Sequence, residues 1–224
     1  MKKPILVFDL DGTFAHTAPD LLDSLNHCLR QNELPEADPK QLMQYVGFGG
    51  RVMIERALDA HGIRLSQAEN TALYDIFIAH YTGNMPGKTK PYDGVIDALK
   101  RFDDAGFISA ICTNKFEAMS KTLIEGLGHG AWFKAICGQD TFAYRKPDPR
   151  HLLDTIDLAG GDRSKAIMIG DTITDISTAK AANIPVIAVD FGYSDRHVSE
   201  FEPSAVISHF DELTVTLVHK LLEA

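Results

Sequence analysis

The amino-acid sequence predicts an α/β protein with a doubly wound parallel sheet and an inserted helical domain. From Lys90 onward, short apolar segments of strand length alternate with longer amphipathic segments. Continuous apolar strands that alternate with helices are typical of a parallel sheet covered by helices on both faces. Before this region, residues 17–84 contain helical patterns but no convincing strand. This stretch is far longer than an ordinary connection of ~4–6 residues and therefore indicates an insert.

The first strand is predicted at residues 5–7, which lead directly into the segment FDLDGT at residues 8–13. The insert then shows an apolar stripe that includes Leu21 and Leu25, and a helix start at Asp38-Pro39. Further along, Ser66 and Glu69 form the pattern of a capping box. We interpret residues 17–84 as a helical cap domain. Residues 1–16 and 85–224 then form the α/β core domain.

The core domain continues as an alternation of helices and strands. Strands are predicted at residues 107–112, 134–137, 165–170, 184–189 and 204–207. Helices are predicted at residues 93–105, 115–127 and 174–182, after the N-cap pair Asp148-Pro149, and from Asp211 onward. This order predicts one parallel sheet.

Length and composition argue against several classes of protein. With 224 residues, 45% of them hydrophobic, the chain can fill one core and a smaller second one. Its apolar stretches fall short of the ~20 residues of a membrane helix, so we expect a cytoplasmic protein without a membrane partner. The net charge of -9 argues against nucleic acid as the main partner. Cys28, Cys112 and Cys137 are expected to be reduced core thiols.

Two carboxylates follow the first strand. Asp9 and Asp11 are two residues apart and precede Gly12, at which the strand is expected to break. Both side chains can then face one crevice, where one carboxylate can attack an electrophile and the other can move a proton. The alternative is a turn that closes the strand through local side-chain hydrogen bonds.

Two more polar clusters carry groups that can hold an anion. Thr113 and Asn114 end the strand at residues 107–112, and Lys146 lies in the segment RKPDP, in which prolines stiffen the backbone. Taken singly, each cluster has an ordinary alternative. Thr113-Asn114 could be the N-cap of the helix that begins at Lys115, and Lys146 could be a solvated surface lysine.

The last polar cluster, GDTITD, places Asp171 and Asp175 after the strand at residues 165–170. Two acids four residues apart would repel each other unless a cation lies nearby. The carboxyl ends of parallel strands lie along one edge of an open sheet, and ligands bind there. Because all four clusters fall at such ends, we predict that they form one site.

These motifs resemble those of the haloacid dehalogenase superfamily phosphatases over nearly the full length of the chain. DLDGT, TN, the lysine of KPDP, and GDTITD occur in the order typical of that family. The helical insert directly after the first motif resembles the branch that contains phosphoglycolate phosphatases, β-phosphoglucomutases and small pyrophosphatases. KPYDGV at residues 90–95 and FGY at residues 191–193 resemble the phosphoglycolate phosphatases. His16 departs from that group, which usually has an acid at this position.

The resemblance implies a Rossmann-like core and a Mg²⁺-dependent hydrolysis of a phosphomonoester. Mg²⁺ suits an all-oxygen site and would relieve the repulsion between the phosphate and the acids. Asp9 would bind the metal and attack phosphorus to form an aspartyl-phosphate. Asp11 would bind the metal through its backbone carbonyl, protonate the leaving alkoxide, and later deprotonate the hydrolytic water. Asp171 would complete the metal shell, and Asp175 would support the site from outside that shell.

The remaining roles concern the phosphate and the far end of the substrate. The phosphate oxygens would be held by Thr113, Asn114 and Lys146. In the cap, the segment VGFGGR would place the backbone of Gly49 and Gly50 and the side chain of Arg51 over a carboxylate or a second phosphate. The alternative is a plain glycine-rich connection between two cap helices.

Residues of the site and of the cap also bear on other reactions known in this superfamily. A dehalogenase needs no second acid, whereas Asp11 is present, and a phosphonatase needs a Schiff-base lysine in the cap, where only Lys40 occurs. A β-phosphoglucomutase-like phosphoryl transfer or a pyrophosphatase stays open, as does a non-catalytic phosphate-binding regulatory module. The best expectation is hydrolysis of 2-phosphoglycolate, a small phosphorylated metabolite, by a monomer or homodimer.

Overall fold

The computed structural model describes residues 2–223, which belong to two compact units. Unit 1 consists of Met1–His16 and Pro91–Ala224, and unit 2 consists of Thr17–Lys90. The chain therefore leaves unit 1 near its start, forms unit 2, and returns once. The insert predicted at residues 17–84 begins at the same residue as unit 2 and ends before Lys90.

Strands and helices alternate in unit 1, whereas unit 2 contains the first four α-helices. In chain order, the strands are β1 (Lys3–Phe8), β2 (Ala15–His16), β3 (Lys90–Pro91), β4 (Ile108–Cys112), β5 (Phe133–Cys137), β6 (Gly161–Gly170), β7 (Val186–Val189) and β8 (Ala205–Ile207). The α-helices are α1 (Ala18–Gln31), α2 (Pro39–Leu42), α3 (Gly50–Ala60), α4 (Gln67–Asn84), α5 (Val95–Asp104), α6 (Glu117–Gly126), α7 (Pro149–Leu158), α8 (Ile173–Ala181) and α9 (Val215–Leu222).

Six strands of unit 1 form a parallel sheet in the order β5-β4-β1-β6-β7-β8. Strand β1 lies between β4 and β6, so that Ile5 is opposite both Ile108 and Ala166. From Ile5 to Phe8 the strand is fully buried, as expected when both faces of a sheet are covered. The predicted fold class, a doubly wound parallel sheet in an α/β protein, is confirmed.

The carboxyl ends of the three central strands lie level with one another. Phe8, the last residue of β1, is opposite Ile111 in β4 and Ile169 in β6. The residues that follow these strands are therefore neighbours at one edge of the sheet. The apolar strand interiors leave this edge as the place where polar side chains can find partners.

Unit 2 is built from amphipathic helices whose apolar faces are buried against one another. Leu29 of α1, Met53 of α3 and Phe77 of α4 are among its buried side chains. The predicted capping box is confirmed, because Ser66 and Glu69 each bind the backbone of the other at the start of α4. This capping box thus fixes the start of α4, and an apolar side decides which face of each helix is buried.

The helix predicted from Lys115 begins two residues later. Phe116 is the N-cap residue of α6, and Lys115 belongs to the preceding turn, where its N–H donates to Thr113 Oγ1 and its carbonyl accepts from Gln139. The interpretation of Thr113-Asn114 as the N-cap of this helix is therefore wrong.

The final helix also begins later than the predicted Asp211. Residues 210–212 form a short 3₁₀ turn, and α9 follows Thr214, whose side chain accepts a hydrogen bond from Leu217 N–H. A threonine cap satisfies an otherwise unpaired N–H of the first turn, which explains why the helix starts there.

Two global features follow from the described residues. Within residues 2–223, no helix is both long enough and apolar enough to cross a membrane. Cys28, Cys112 and Cys137 are buried free thiols. Burial raises the pKa of the Cys112 thiol to about 12, so this sulfur stays protonated and unreactive near neutral pH.

Candidate active site

The loop after β1 carries Asp9 and Asp11 at the carboxyl end of the sheet. Asp9 is buried, and its backbone N–H donates to the carbonyl of Ile169 in β6. Gly12 then turns the chain with a φ of +91°, in the left-handed region that favours glycine. A Cβ at Gly12 would lie 2.4 Å from a carboxylate oxygen of Asp171. The absence of a side chain therefore lets this loop pass directly against Asp171.

Lys146 lies between two carboxylates of this edge. Its Nζ donates to Asp9 Oδ1 at 2.7 Å and to Asp175 Oδ1 at 2.6 Å. Only 3% of the residue is exposed, so the interpretation of Lys146 as a solvated surface lysine is wrong. Burial disfavours the ammonium, but Asp175 and Asp9 outweigh burial and raise the pKa of Lys146 above its usual value. A charged ammonium group is thus held inside the site.

The backbone of Lys146 is held on both sides. Asn114 Nδ2 donates to the carbonyl of Lys146 at 3.0 Å, and the N–H of Lys146 donates to His151 Nδ1 at 3.2 Å. Burial, helped by the charge of Lys146, lowers the pKa of His151 to about 4. The imidazole is therefore neutral near pH 7, and its Nδ1 can accept the bond that positions Lys146.

Asp171 follows β6, and each of its carboxylate oxygens accepts a hydrogen bond. Thr13 Oγ1 donates to Asp171 Oδ1 at 2.8 Å, and the backbone N–H of Tyr193 donates to Asp171 Oδ2 at 2.7 Å. Sequence reasoning did not identify Thr13 or Tyr193 as partners of Asp171. The available signals were their positions within DLDGT and FGY.

Asp175 holds the start of α8. Its Oδ2 accepts from the N–H of Thr172 at 3.1 Å and from the hydroxyl of Thr172 at 2.8 Å, while its Oδ1 accepts from Lys146. Both oxygens of this fully buried carboxylate are therefore engaged by the protein. The predicted role of Asp175, support of a metal site from outside the ligand shell, stays a prediction.

Asp9, Asp171 and Asp175 together form a buried acidic cluster. One carboxylate oxygen from each residue lies within 4.8 Å of the others. Burial raises the pKa of Asp9 to about 6 in spite of the Lys146 charge, and burial, Asp175 and Asp9 raise the pKa of Asp171 well above its usual value. Carboxylates that repel one another in a buried all-oxygen site fit a hard divalent cation.

Asp11 is paired with a second lysine that sequence reasoning missed. Lys115 Nζ donates to both carboxylate oxygens of Asp11, at 3.1 and 3.2 Å. Only 9% of Lys115 is exposed. The signal in the sequence was its position directly after Thr113-Asn114, at the end of a strand that leads into the site.

Thr113 and Asn114, the two predicted anion-binding residues after β4, have different surroundings. Thr113 Oγ1 accepts the N–H of Lys115, so its hydroxyl hydrogen can be donated to another group. Asn114 uses Nδ2 to hold Lys146, and within residues 2–223 its buried Oδ1 has no hydrogen-bond partner. Asn114 therefore acts on the position of Lys146, and its predicted contact with phosphate stays a prediction.

His16 lies beside two tyrosines of unit 1. Its Nδ1 is 3.0 Å from the hydroxyl of Tyr193 and 3.4 Å from that of Tyr92. Burial lowers the pKa of His16, which favours a neutral ring. Where the resemblance leads us to expect an acid, this chain therefore has an imidazole. The ring lies next to Tyr193, whose backbone N–H donates to Asp171.

The predicted specificity residues Gly49, Gly50 and Arg51 lie in unit 2. Gly49 precedes α3 with a φ of +89°, and Gly50 begins that helix. The Arg51 guanidinium lies 3.8 Å from the centre of the Tyr74 ring, and both residues border a cavity of about 290 Å³ within unit 2. The predicted contact of this segment with substrate stays a prediction.

Comparison with known proteins identifies relatives over the full length of the chain. Residues 6–189 match the model of the haloacid dehalogenase-like hydrolase family. The chain is 62% identical over 224 residues to a phosphoglycolate phosphatase of Mesorhizobium japonicum, an alignment that covers 100% of this chain and 99% of the relative. It is 46% identical over 219 residues to a phosphoglycolate phosphatase of Agrobacterium fabrum, with 98% and 94% covered.

The fold has close structural counterparts as well. A Haemophilus somnus protein described as a predicted phosphoglycolate phosphatase superposes with a TM-score of 0.87 at 24% identity, covering 95% of this chain and 97% of that one. This similarity concerns the fold alone, whereas the family model and the two relatives extend over the residues of the site. The chain belongs to the haloacid dehalogenase-like hydrolases.

Proposed function

We propose that this protein hydrolyses 2-phosphoglycolate to glycolate and phosphate. The observation that carries the proposal is the buried Asp9 carboxylate, held by Lys146 at 2.7 Å, with Asp11 two residues further along the same loop. A nucleophile and a second acid are the two groups that ester hydrolysis through a covalent intermediate requires. The choice of substrate rests on the names of the two relatives at 62% and 46% identity.

In the first step, an Asp9 oxygen attacks phosphorus and the bond from phosphorus to the ester oxygen breaks. The product on the enzyme is an aspartyl-phosphate. Asp11 gives a proton to the departing glycolate oxygen, so that no free alkoxide is released. In the second step, Asp11 takes a proton from water and the water attacks phosphorus. The bond between phosphorus and the Asp9 oxygen breaks, so that Asp9 is regenerated and inorganic phosphate is released.

The phosphoryl oxygens are held by Thr113, Asn114 and Lys146. Thr113 donates its hydroxyl hydrogen, Asn114 donates its backbone N–H, and Lys146 supplies a positive charge beside Asp9. Charge spreads over the equatorial oxygens as the phosphoryl group moves, and donors fixed in advance stabilise that charge without rearrangement. The bonds from Asn114 and His151 to the backbone of Lys146 support this role, because they fix where the ammonium stands.

The acidic cluster fits Mg²⁺ as the cofactor. Asp9, Asp171 and the backbone carbonyl of Asp11 would hold the ion, and Asp175 would keep the loop after β6 in place. When bound, Mg²⁺ neutralises the carboxylates and the phosphate and so permits a dianion to enter. The oriented Asp171 carboxylate and the raised pKa values of Asp9 and Asp171 support this assignment.

The proposal also covers the class of substrate, the oligomeric state, the location and the partners of the protein. The substrate is a small phosphorylated metabolite, and we propose a cytoplasmic monomer or homodimer that acts without nucleic acid or membrane. The net charge of -9 supports the exclusion of polyanionic partners. In unit 2, Gly49, Gly50 and Arg51 are proposed to contribute to substrate specificity.

The test is a turnover screen at fixed Mg²⁺ concentration with 2-phosphoglycolate, β-glucose 1-phosphate, pyrophosphate and further phosphorylated metabolites. We expect the highest kcat/KM for 2-phosphoglycolate, measured as released phosphate. A preparation of Asp9→Asn, purified in parallel, controls for contaminating phosphatases. A higher kcat/KM for pyrophosphate, or isomerisation of glucose phosphate, would replace the proposal by one of those activities. No turnover of any substrate would favour a non-catalytic phosphate-binding module.

A further inference from the structure

Lys115 is a buried cation of the site that the reaction steps above do not use. Lys115 and Lys146 are the two buried lysines within residues 2–223. Lys146 is committed to Asp9 and Asp175, the side of the site where the phosphoryl group is attacked. Lys115 instead pairs with both oxygens of Asp11. Lys146 therefore contacts Asp9 and Asp175, whereas Lys115 contacts Asp11, the carboxylate proposed to move the proton.

The position of Asp11 fixes which part of the substrate Lys115 can reach. To protonate the leaving oxygen, an Asp11 oxygen has to come within ~2.6–3.2 Å of it. Lys115 Nζ lies 3.1 and 3.2 Å from the Asp11 oxygens. A leaving oxygen in contact with Asp11 is therefore within two hydrogen-bond lengths, roughly 6 Å, of this ammonium. In 2-phosphoglycolate, a single CH₂ separates the leaving oxygen from the carboxylate, so that carboxylate lies within the same range.

We propose that Lys115 binds the carboxylate of the substrate and thereby selects phosphomonoesters whose ester carbon carries a carboxylate. This inference rests on the proposed function and names the residue that discriminates its substrate. When the substrate binds, the Asp11 carboxylate and the substrate carboxylate can share the three N–H groups of this ammonium. A bond between an ammonium and a carboxylate is stronger where water is largely excluded, as it is around a side chain that is 5% exposed.

Arg51 is the other cation considered for this role, and its surroundings differ. It is exposed, and its guanidinium is stacked on Tyr74 within unit 2. An exposed cation attracts a carboxylate less strongly, because water and salt screen the interaction. Lys115, in contrast, is fixed by the turn after β4 through the bond of its N–H to Thr113. The buried lysine is therefore the stronger determinant of carboxylate specificity.

The first test compares 2-phosphoglycolate with ethyl phosphate, in which a methyl group replaces the carboxylate. The kcat/KM of both substrates is measured for the wild type and for Lys115→Met, which keeps the length of the side chain and removes its charge. Any effect through Asp11 acts on both substrates, so the ratio of the two kcat/KM values isolates the carboxylate. We expect this ratio to fall roughly ten- to a hundredfold in Lys115→Met.

Two further variants complete the comparison. Lys134→Met removes an exposed lysine at the amino-terminal end of β5, away from the edge of the sheet that carries the site, and should leave the ratio unchanged. Lys115→Arg keeps the charge and should retain more of the ratio than Lys115→Met. An unchanged ratio in Lys115→Met overturns the inference.

The second test needs no variant of Lys115 and no catalysis. Calorimetry with the wild type compares 3-phosphonopropionate, in which CH₂ replaces the ester oxygen, with propylphosphonate, which lacks the carboxylate. We expect at least tenfold tighter binding of 3-phosphonopropionate, and equal affinities overturn the inference even if Lys115→Met fails to fold. If the wild type has its highest kcat/KM for another class of phosphate ester, the proposed function is wrong. If it prefers 2-phosphoglycolate but binds the two phosphonates equally, only the inference about Lys115 is wrong.

Discussion

The ammonium of Lys146 donates to Asp9 Oδ1 at 2.7 Å, although the two residues are 137 positions apart in the chain. Both side chains are buried, and Lys146 also binds Asp175 at 2.6 Å. One lysine thus neutralises part of the acidic cluster and keeps Asp9, the proposed nucleophile, in place before substrate arrives. Removing the lysine leaves two carboxylates without their buried cation, which is costly, whereas removing the Asp9 charge leaves Lys146 paired with Asp175.

Lys146→Met should therefore lower both turnover and stability. Loss of one partner of a buried ion pair costs ~3–5 kcal/mol in the free energy of unfolding. Urea denaturation at pH 7.5 measures this difference, and the double variant Lys146→Met/Asp175→Asn should recover part of it because one excess carboxylate is removed. A decrease well below ~1 kcal/mol in the single variant would show that the pair contributes little to stability.

Asp9→Asn should abolish turnover and leave the fold nearly intact. The amide has almost the shape of the carboxylate, but it is uncharged and a poor nucleophile. Phosphate release under saturating substrate measures turnover, and circular dichroism checks the fold. Substantial hydrolysis by a preparation free of contaminating phosphatase would place the nucleophile elsewhere.

Asp11→Asn should slow hydrolysis severely for esters with a poor leaving group and less for p-nitrophenyl phosphate. The p-nitrophenolate ion is stable without a proton, so the first step depends less on a general acid. The measurement is single-turnover kinetics with both substrates. Equal losses for the two esters would contradict the role of Asp11 as the acid for the leaving group.

His151 should make the folded protein less stable in acid. Its pKa is about 4 in the folded protein and 6.5 as the ordinary value. Between these values the unfolded chain binds more protons, so this contribution is fully present above pH 6.5 and is lost as the pH falls to 4. The full loss is on the order of 3 kcal/mol.

The control for this prediction is His151→Asn, whose side-chain oxygen can replace Nδ1 as the acceptor for Lys146 N–H. Asp9 and Asp171, with raised pKa values, change stability in the opposite direction, and the same change occurs in both proteins. The stability difference between wild type and variant is therefore the useful quantity. It should shrink between pH 7 and pH 4, and parallel curves would contradict the prediction.

Chelation of divalent cations should abolish activity, and Mg²⁺ should restore it. The buried carboxylates of Asp9, Asp171 and Asp175 repel an incoming phosphate dianion unless a cation lies among them. Ca²⁺ should inhibit, since its larger radius and looser coordination disturb the in-line geometry at Asp9. Activity assays with EDTA, followed by titration with each ion, provide the measurement, and full activity in excess EDTA would defeat the metal assignment.

The outline of the site was predictable because its main residues occupy the ends of strands. An apolar run that stops at Asp9 or at Asp171 marks the end of a strand, and this can be recognised without the tertiary structure. Parallel strands then bring such ends to one edge of the sheet. The membership of Lys146 in the site was likewise predicted once the clusters were considered together, whereas its burial is a finding of the structure. In isolation, the same lysine had a surface position as its ordinary alternative.

Sequence by itself thus determined the α/β class, the place of the insert, and the group of strand-end acids, because periodicity and strand ends are local properties of the chain. Tertiary structure alone decided that Lys115 pairs with Asp11, that Asn114 holds the carbonyl of Lys146, and that Thr13 and Tyr193 orient Asp171. Each of these contacts joins groups from separate loops. Which donor meets which carboxylate depends on the exact turn that each loop takes after its strand, and the free energy of a buried charge selects the pairing only once the sheet has brought those loops together.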